Sequence, residues 1–373
     1  MRILIATGIF PPDIGGPATY TKLIAQELSE RGHNVIVVTY GERQHKVKNI
    51  SRALPKGVRH FVYFWKVFWH GRYADVIYAQ DPVSAGLPAA WAARILRKRF
   101  LVRIAGDYAW EQGVGRFGVL DLLDEFVKKT YGPKVEQLRR IQRKVARSAH
   151  RIVVPSEYLK KIVMAWGIQA ERIVVIRTVV RAPQIIEREA VRKKLGLSDT
   201  DIFLLSIGRL VPWKGFEALI RVFPAIKKRF GVRFVIVGGG PDYDRLYPLA
   251  KSSGVVMAGA LPAGQVAEYL ASADIFLLNT AYEGFSHQIL EAFAHGVPVI
   301  TTPAGGNAEI VRNGENALVV PYNDEGAWAV AIGQTCEDVA LRERLKIGGR
   351  ASLGEYSVER MMEKLMALFT ISI

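Results

Sequence analysis

Three short segments combine charge or glycine with a position next to an apolar run, and each suits the chemistry of a phosphate or a sugar. Gly208-Arg209-Leu210-Val211-Pro212-Trp213-Lys214-Gly215 follows Ile202-Phe203-Leu204-Leu205-Ser206-Ile207, which reads as a buried strand. Two cations five residues apart in such a loop can converge on one diphosphate, Arg209 as a fork and Lys214 as a point charge. The competing reading is a pair of solvated surface cations. The second segment is Glu283-Gly284-Phe285-Ser286-His287-Gln288-Ile289-Leu290-Glu291-Ala292. Ser286 fits an N-cap, Ile289, Leu290 and Phe293 form a buried face, and Gly296 followed by Pro298 ends the helix. Glu283 then precedes the helix and Glu291 lies within it, and with the first in the loop both can line one site. The amides of Gly284, Phe285 and Ser286 offer a positive helix end to an anion. Glu291 suits paired ribose hydroxyls and Glu283 a hexose, although taken alone Glu283 reads first as an exposed turn residue and Glu291 as a solvated helix charge. The third segment, Gly8 through Pro17, carries the pair Gly15-Gly16 at the start of a helical pattern, where the backbone can approach an anion closely. A plain turn is its even alternative, and G-x-G-x-x-G is absent.

The elements that must position these residues alternate. Residues 2–9, 34–40, 75–79, 100–105 and 151–155 are short β-branched runs, separated by helical patterns such as residues 19–31. A second series places strands at 202–207, 233–237, 255–257, 275–279, 297–301 and 317–320, with helices at 216–229 and 264–271 between them. Strand, helix, strand repeated in this way predicts an α/β protein of two Rossmann-like, doubly wound parallel sheets. In such sheets ligands bind beyond the carboxyl ends of the strands, where all three segments fall. Residues 181–200 read as a polar connection with a short helix, and residues 356–369 as an amphipathic helix. The expected domains are 1–180, 181–355 and a terminal helix, 356–373, that packs back toward the first.

Composition narrows the classes. With 373 residues, half of them hydrophobic, and a single cysteine, Cys336, the chain is neither disordered nor a disulfide or Cys/His metal framework. No signal peptide fits the start, and the apolar run at 82–93 falls short of the roughly 20 residues of a membrane span. A cytoplasmic protein is expected. Residues 1–180 hold 30 Lys and Arg against 14 acids, whereas the remainder is neutral. That asymmetry suggests a polyanionic partner for the first half. Nucleic acid qualifies on charge alone, but no nucleic-acid motif accompanies it.

Taken together, Gly15-Gly16, Gly208-Arg209-Leu210 with Lys214-Gly215, and Glu283-Gly284-Phe285 through Glu291-Ala292 resemble the retaining glycosyltransferases of family 4. Gly296-Val297-Pro298 and Gly305-Gly306-Asn307-Ala308-Glu309 continue that pattern, so the resemblance covers nearly the whole chain. It implies a GT-B fold, two Rossmann-like domains facing across a cleft. The activity it implies is hexosyl transfer from a UDP- or GDP-sugar to an acceptor hydroxyl, with retention of configuration. In that scheme Arg209 and Lys214 bind the diphosphate, Glu291 the ribose, and Glu283 with the backbone at 284–286 the sugar. Gly259 and its loop sit against the base, Gly15 and Gly16 approach the diphosphate, and the acceptor enters from the first domain. An epimerase or phosphorylase that uses the same two-domain fold is the alternative chemistry. Where the family often carries a histidine near the reacting sugar, this chain reads Arg103-Ile104-Ala105-Gly106-Asp107-Tyr108, with Asp107 as the nearest polar substitute or simply a helix cap. A frequent Asn-Gly turn is replaced by Ile176-Arg177-Thr178-Val179-Val180.

No cofactor and no essential metal are expected. Asp199-Thr200-Asp201 and Asp242-Tyr243-Asp244 mimic a metal-binding D-x-D but read as helix-start acids, and His287 and His295 lack a second ligand at suitable spacing. Residues 61–73, Phe-Val-Tyr-Phe-Trp-Lys-Val-Phe-Trp-His-Gly-Arg-Tyr, mix aromatics with cations as interfacial segments do, or else fill the first domain's core. The basic stretch 128–151, with Arg139, Arg140, Arg143, Lys144 and Arg147, suits anionic lipid at about 1 kcal/mol per cation. The partners expected are therefore the donor, a sugar or lipid-linked acceptor, and peripheral contact with an anionic membrane on its cytoplasmic face.

Overall fold

The computed structural model describes residues 1–13, 15–41, 47–183, 185–198 and 200–370. It comprises two compact units, residues 1–178 with 359–373, and residues 179–358. The second boundary lies after 358 rather than after 355. Tyr356 stays with the second unit, its ring edge-on to Phe285 and its hydroxyl donating to the Glu309 carbonyl at 3.3 Å.

The first unit runs β1 (Arg2–Ala6), α1 (Gly16–Glu30), β2 (Asn34–Tyr40), β3 (Val47–Ile50), α2 (Lys56–Gly71), β4 (Val76–Ala79), α3 (Gly86–Ile95), β5 (Arg99–Arg103), α4 (Tyr108–Arg116), α5 (Leu123–Phe126), α6 (Pro133–Ser148), β6 (Arg151–Val154), α7 (Glu157–Met164) and β7 (Ile173–Val175). Its seven strands form one parallel sheet in the order β3-β2-β1-β4-β5-β6-β7. Central strands are buried on both faces and therefore read as unbroken apolar runs, Val76-Ile77-Tyr78-Ala79 being fully buried. The edge strands β3 and β7 escape the sequence reading, because Val47-Lys48-Asn49-Ile50 is half polar and Ile173-Val174-Val175 is only a three-residue run. Helix α1 starts at Gly16 rather than at 19, since Pro17 needs no amide partner in a first turn. The aromatic run, read either as interfacial or as core-filling, forms the amphipathic helix α2, in which Tyr63 and Val67 point inward while Phe61, Trp65 and Trp69 point to solvent.

The second unit contains α8 (Arg188–Lys194), β8 (Ile202–Ile207), α9 (Phe216–Arg229), β9 (Val232–Val237), α10 (Tyr243–Ser253), β10 (Val256–Gly259), α11 (Ala263–Ser272), β11 (Ile275–Leu278), α12 (His287–His295), β12 (Val299–Thr301), β13 (Leu318–Val319), α13 (Glu325–Glu337) and α14 (Val339–Ser352). Its parallel sheet has the order β10-β9-β8-β11-β12-β13. Phe216, Leu219 and Phe223 of α9 pack with Leu204, Phe234 and Trp328 in one core. Each such side chain contributes about 1.5–3 kcal/mol on burial, so the strand ends that carry the loops are held rigidly.

The last helix, α15 (Val358–Thr370), is counted with the first unit from Glu359 onward. The Phe369 ring meets Tyr78 edge-on at 5.6 Å, and its carbonyl accepts from Arg99 at 3.1 Å. Met361, Met362, Leu365 and Leu368 supply the buried stripe that the helical period predicts.

Candidate active site

In each sheet the strand order reverses beside its first strand, between β1 and β4 in the first unit and between β8 and β11 in the second. A crevice opens where the connections leave in opposite directions. The segments 208–215 and 279–291 follow β8 and β11, so the second unit gathers them at its reversal point.

Backbone hydrogen bonds and glycines set the loop after β8. The Gly208 amide donates to Val237 O at 3.0 Å, Leu210 to Gly239 O at 3.0 Å, and Gly238 to Gly259 O at 2.8 Å. The turns after β8, β9 and β10 are thereby laced together, and Gly259 enters as an acceptor at a φ of 72°. The run Gly238-Gly239-Gly240 was missed in the sequence, although three glycines directly after a strand are a signal of close backbone approach. A Cβ at Gly238 would stand 1.8 Å from Gly208 O, and one at Gly240 2.3 Å from Leu210 O. Gly240→Ala is therefore expected to cost about 1–3 kcal/mol by overpacking and, by displacing 208–215, to raise the KM for the nucleotide-sugar that the family resemblance implies there. Thermal unfolding and donor saturation curves check both.

Further on, the turn 212–214 is bolted to the β11 loop. Trp213 O accepts from the Ala281 amide at 2.8 Å and from Thr280 Oγ1 at 3.3 Å. Asn279, 1% exposed, donates Nδ2 to Gly215 O at 2.9 Å and to Asn323 Oδ1 at 2.8 Å. Gly215 is left-handed at φ 49°, and a Cβ there would lie 2.4 Å from that same Nδ2. These ties bring Lys214 Nζ onto Glu283 Oε1 as an ion pair whose side chains are 9% and 14% exposed. Glu283 is held in turn from the backbone side, its carbonyl accepting from Gly306 at 2.8 Å. The structural positioners Asn279 and Asn323 were not singled out, because asparagine in a loop carries no periodic signature.

Ser286 caps α12, its Oγ accepting from the Ile289 amide at 3.4 Å, and Gly296 ends the helix in the left-handed conformation. Gly284, Phe285 and Ser286 are buried at the positive end of α12. Glu291 projects from the same helix without an ion pair among the described residues, and burial pushes its carboxyl up to about 7. Arg209, by contrast, is exposed and has no ion pair among the described residues. Lys214 and Arg209 therefore sit in unlike environments, one buried and paired, the other in solvent.

The remaining expected residues lie elsewhere. Gly15, at φ 146°, and Gly16 open α1 in the first unit, beyond the end of β1. Asp107 is the N-cap of α4, 1% exposed, its Oδ1 accepting from the Trp110 amide at 2.9 Å and Gln142 Nε2 at 3.1 Å. Burial raises its pKa against those bonds. Its Oδ1 is thus engaged by the cap. A polar cluster near the end of the first sheet went unread: Tyr40 OH lies 2.9 Å from His60 Nδ1 and donates to Ser84 O at 3.0 Å, with Asp81 close by and accepting from the Val83 and Ala85 amides just before α3. Gln80-Asp81-Pro82, directly behind a fully apolar strand, was the available signal.

Of the D-x-D pairs, Asp242 precedes α10 and pairs with Arg245 at 3.0 Å. Asp201 is not a helix-start acid; it precedes β8, accepting from the Ser198 amide and pairing with Arg233 at 3.2 Å, while Asp199 lies outside the described residues. Among the described residues no three His, Cys, Asp or Glu side chains gather as a metal site. Nor is any described helix long and apolar enough to cross a membrane.

Comparison with known proteins agrees with this architecture. The model of glycosyl transferases group 1 matches residues 187–352 and that of glycosyltransferase family 4 matches residues 14–182. An uncharacterized glycosyltransferase of Methanocaldococcus jannaschii is 26% identical over 100% of this chain and 98% of its own. A GDP-mannose-dependent alpha-(1-6)-phosphatidylinositol monomannoside mannosyltransferase of Mycolicibacterium smegmatis is 33% identical over 45% of this chain and 47% of its own. Anabaena HepE, solved with UDP-glucose, superposes with a TM-score of 0.80 at 20% identity over 98% of this chain and 100% of its own. The two matched family regions together span nearly the whole chain, and their division coincides with that of the two sheets: this protein belongs to the group 1 glycosyltransferases and has the GT-B fold.

Proposed function

We propose that the second unit binds a nucleotide-diphospho-sugar and that the enzyme transfers its hexosyl group, with retention of configuration, to a hydroxyl of a lipid-linked acceptor. The observation that carries this reading is the buried Lys214–Glu283 pair beside the N-terminus of α12, at the reversal point of the second sheet. Breaking the anomeric bond builds negative charge on the departing diphosphate. In this reading Lys214, Arg209 and the α12 amides stabilise that charge more in the transition state than in the bound donor. Glu291 accepts the ribose hydroxyls. Glu283, held by Lys214, accepts hydrogen bonds from the sugar rather than attacking it, so a departing phosphate oxygen takes the acceptor's proton on the face it leaves. With cations supplied by the protein, turnover is expected to persist in a chelator.

Relatives support the substrates. HepE is solved with UDP-glucose, the mycobacterial mannosyltransferase is GDP-mannose-dependent and acts on a phosphatidylinositol mannoside, and a Rhizobium meliloti relative belongs to lipopolysaccharide core biosynthesis. A thermal-shift series with UDP- and GDP-sugars identifies the donor, and the NMR coupling of the product's anomeric proton reads the stereochemistry. An inverted anomer would overturn the retaining assignment; absence of any stabilising nucleotide-sugar would overturn the site.

A further inference from the structure

Three of the chain's seven tryptophans stand about half exposed, and all three lie on two neighbouring helices of the first unit. On α2, Phe61, Trp65 and Trp69 are 62%, 48% and 57% exposed. With Val58 they recur at helical spacing, so they form one stripe about 16 Å long. Trp91 and Ile95, one turn apart on α3, are 50% and 62% exposed beside it, for α2 packs along α3. Single exposed apolar residues are ordinary on any surface; a contiguous run of indoles is not.

The sheet order explains why cations border this patch. The crossovers through α2, α3 and α6 all step in the same direction, from β3 to β4, β4 to β5 and β5 to β6. Right-handed connections therefore lay these helices on one face of the sheet, and α3 also packs on α6. Arg94 and Arg97 stand at the end of α3, and Arg140, Lys144 and Arg147 are exposed along α6. None of these five forms an ion pair among the described residues. The Arg72 guanidinium lies 3.7 Å over the Trp69 ring, uniting both chemistries at one point. Arg139, which the sequence counted with this group, is buried against Phe126 and bonded to Lys129 O at 2.7 Å, so it takes no part.

We infer that the outer face of the α2–α3–α6 layer is a docking surface for an anionic lipid bilayer, with the indoles in the headgroup region and the α6 cations against the lipid phosphates. Charge decides among occupants: a second copy would present the same unpaired cations, whereas an anionic bilayer complements them and accepts the indoles. The stripe begins one residue from Arg59 and His60, which reach the polar cluster around Tyr40. A lipid-borne acceptor would thus be delivered near the end of the first sheet. In that sense the inference rests on the lipid-linked reading above.

The test uses the full chain and vesicles of phosphatidylcholine with or without phosphatidylglycerol, free of donor and acceptor. Binding is expected only with the anionic lipid, brominated acyl chains should quench the wild-type tryptophan fluorescence, and Trp65→Ser/Trp69→Ser should weaken binding at least about tenfold. Arg140→Glu/Lys144→Glu should remove most of the salt dependence. No binding to anionic vesicles, no quenching, unchanged binding by the tryptophan variant, equal competition by single-stranded DNA, or loss of a dimer in that variant would each overturn the inference. Transfer to a water-soluble, short-chain acceptor, measured in parallel, reports on the reaction without any bilayer, so the two readings fail separately.

Discussion

Lys214→Ala is expected to lower kcat for glycosyl transfer by about 10²–10³-fold, the usual loss when one preorganised charge donor is removed from a transition state. kcat/KM is expected to fall by a similar factor, since the charge Lys214 meets is largely created during the reaction. Stability also suffers, because Glu283 is left as a carboxylate only 14% exposed without its cation. The double variant Lys214→Ala/Glu283→Gln separates the effects. It should recover most of the lost thermal stability and none of the turnover. Arg209→Ala supplies the contrast: this side chain is exposed and unpaired among the described residues, so unfolding should not change while turnover falls by about 10-fold. Lys214→Arg should rescue poorly, a planar fork being unable to replace a point charge in so tight a site. Steady-state rates beside melting curves decide the matter, and equal turnover in wild type and Lys214→Ala would remove the pair from the mechanism.

Donor affinity is expected to rise with pH through neutrality, on account of Glu291. Its carboxyl is lifted from 4.5 to about 7 by burial alone. Only the ionised form is a full acceptor for two ribose hydroxyls. About one-tenth is ionised at pH 6 and nearly all above pH 8, so Kd for a nucleotide-sugar should drop about tenfold across that window. A diphosphate esterified at both ends does not titrate there. His287 and His295 share the helix, and burial lowers the pKa of His295, so Glu291→Gln is the control that assigns the slope. That variant should bind weakly and without the pH dependence.

The stability of the free enzyme runs the other way. With the folded pKa above the unfolded one, the folded state holds the extra proton between pH 4.5 and about 7. Stability is then greatest below that window, falls through it, and levels off above it. The full loss is about 3 kcal/mol at most. Glu291→Gln should therefore melt higher than wild type at pH 8 and equally at pH 4. Calorimetric titration and unfolding at several pH values measure both; a flat Kd in the wild type would exclude the ribose role.

Much of the fold was legible because parallel sheets bury their central strands on both faces. Runs such as Ile202-Phe203-Leu204-Leu205-Ser206-Ile207, with one small buried serine, and Ile275-Phe276-Leu277-Leu278 have no charged residue to disguise them. Edge strands β3 and β7 lack that protection and were missed. The α12 boundaries were likewise readable, since a serine cap and a left-handed glycine are local chemistry. Asp107 shows the limit: its residue type suits a cap and a reacting group equally, and only the fold shows it buried with its Oδ1 bonded to the Trp110 amide and Gln142.

What the chain's order of residues determined by itself was the alternation of elements, the residues placed behind β8 and β11, and the surplus of positive charge in the first half. Tertiary structure decided which of those residues meet. Lys214 and Glu283 are 69 positions apart and became partners because β8 and β11 are neighbours in the sheet and Asn279 ties their loops together. Likewise, α2 and α6 present their indoles and cations on one face because successive right-handed crossovers put them there. Local spacing can specify a helix and its inward stripe. The pairing of distant loops depends on strand order and on a few buried hydrogen bonds that no local pattern records.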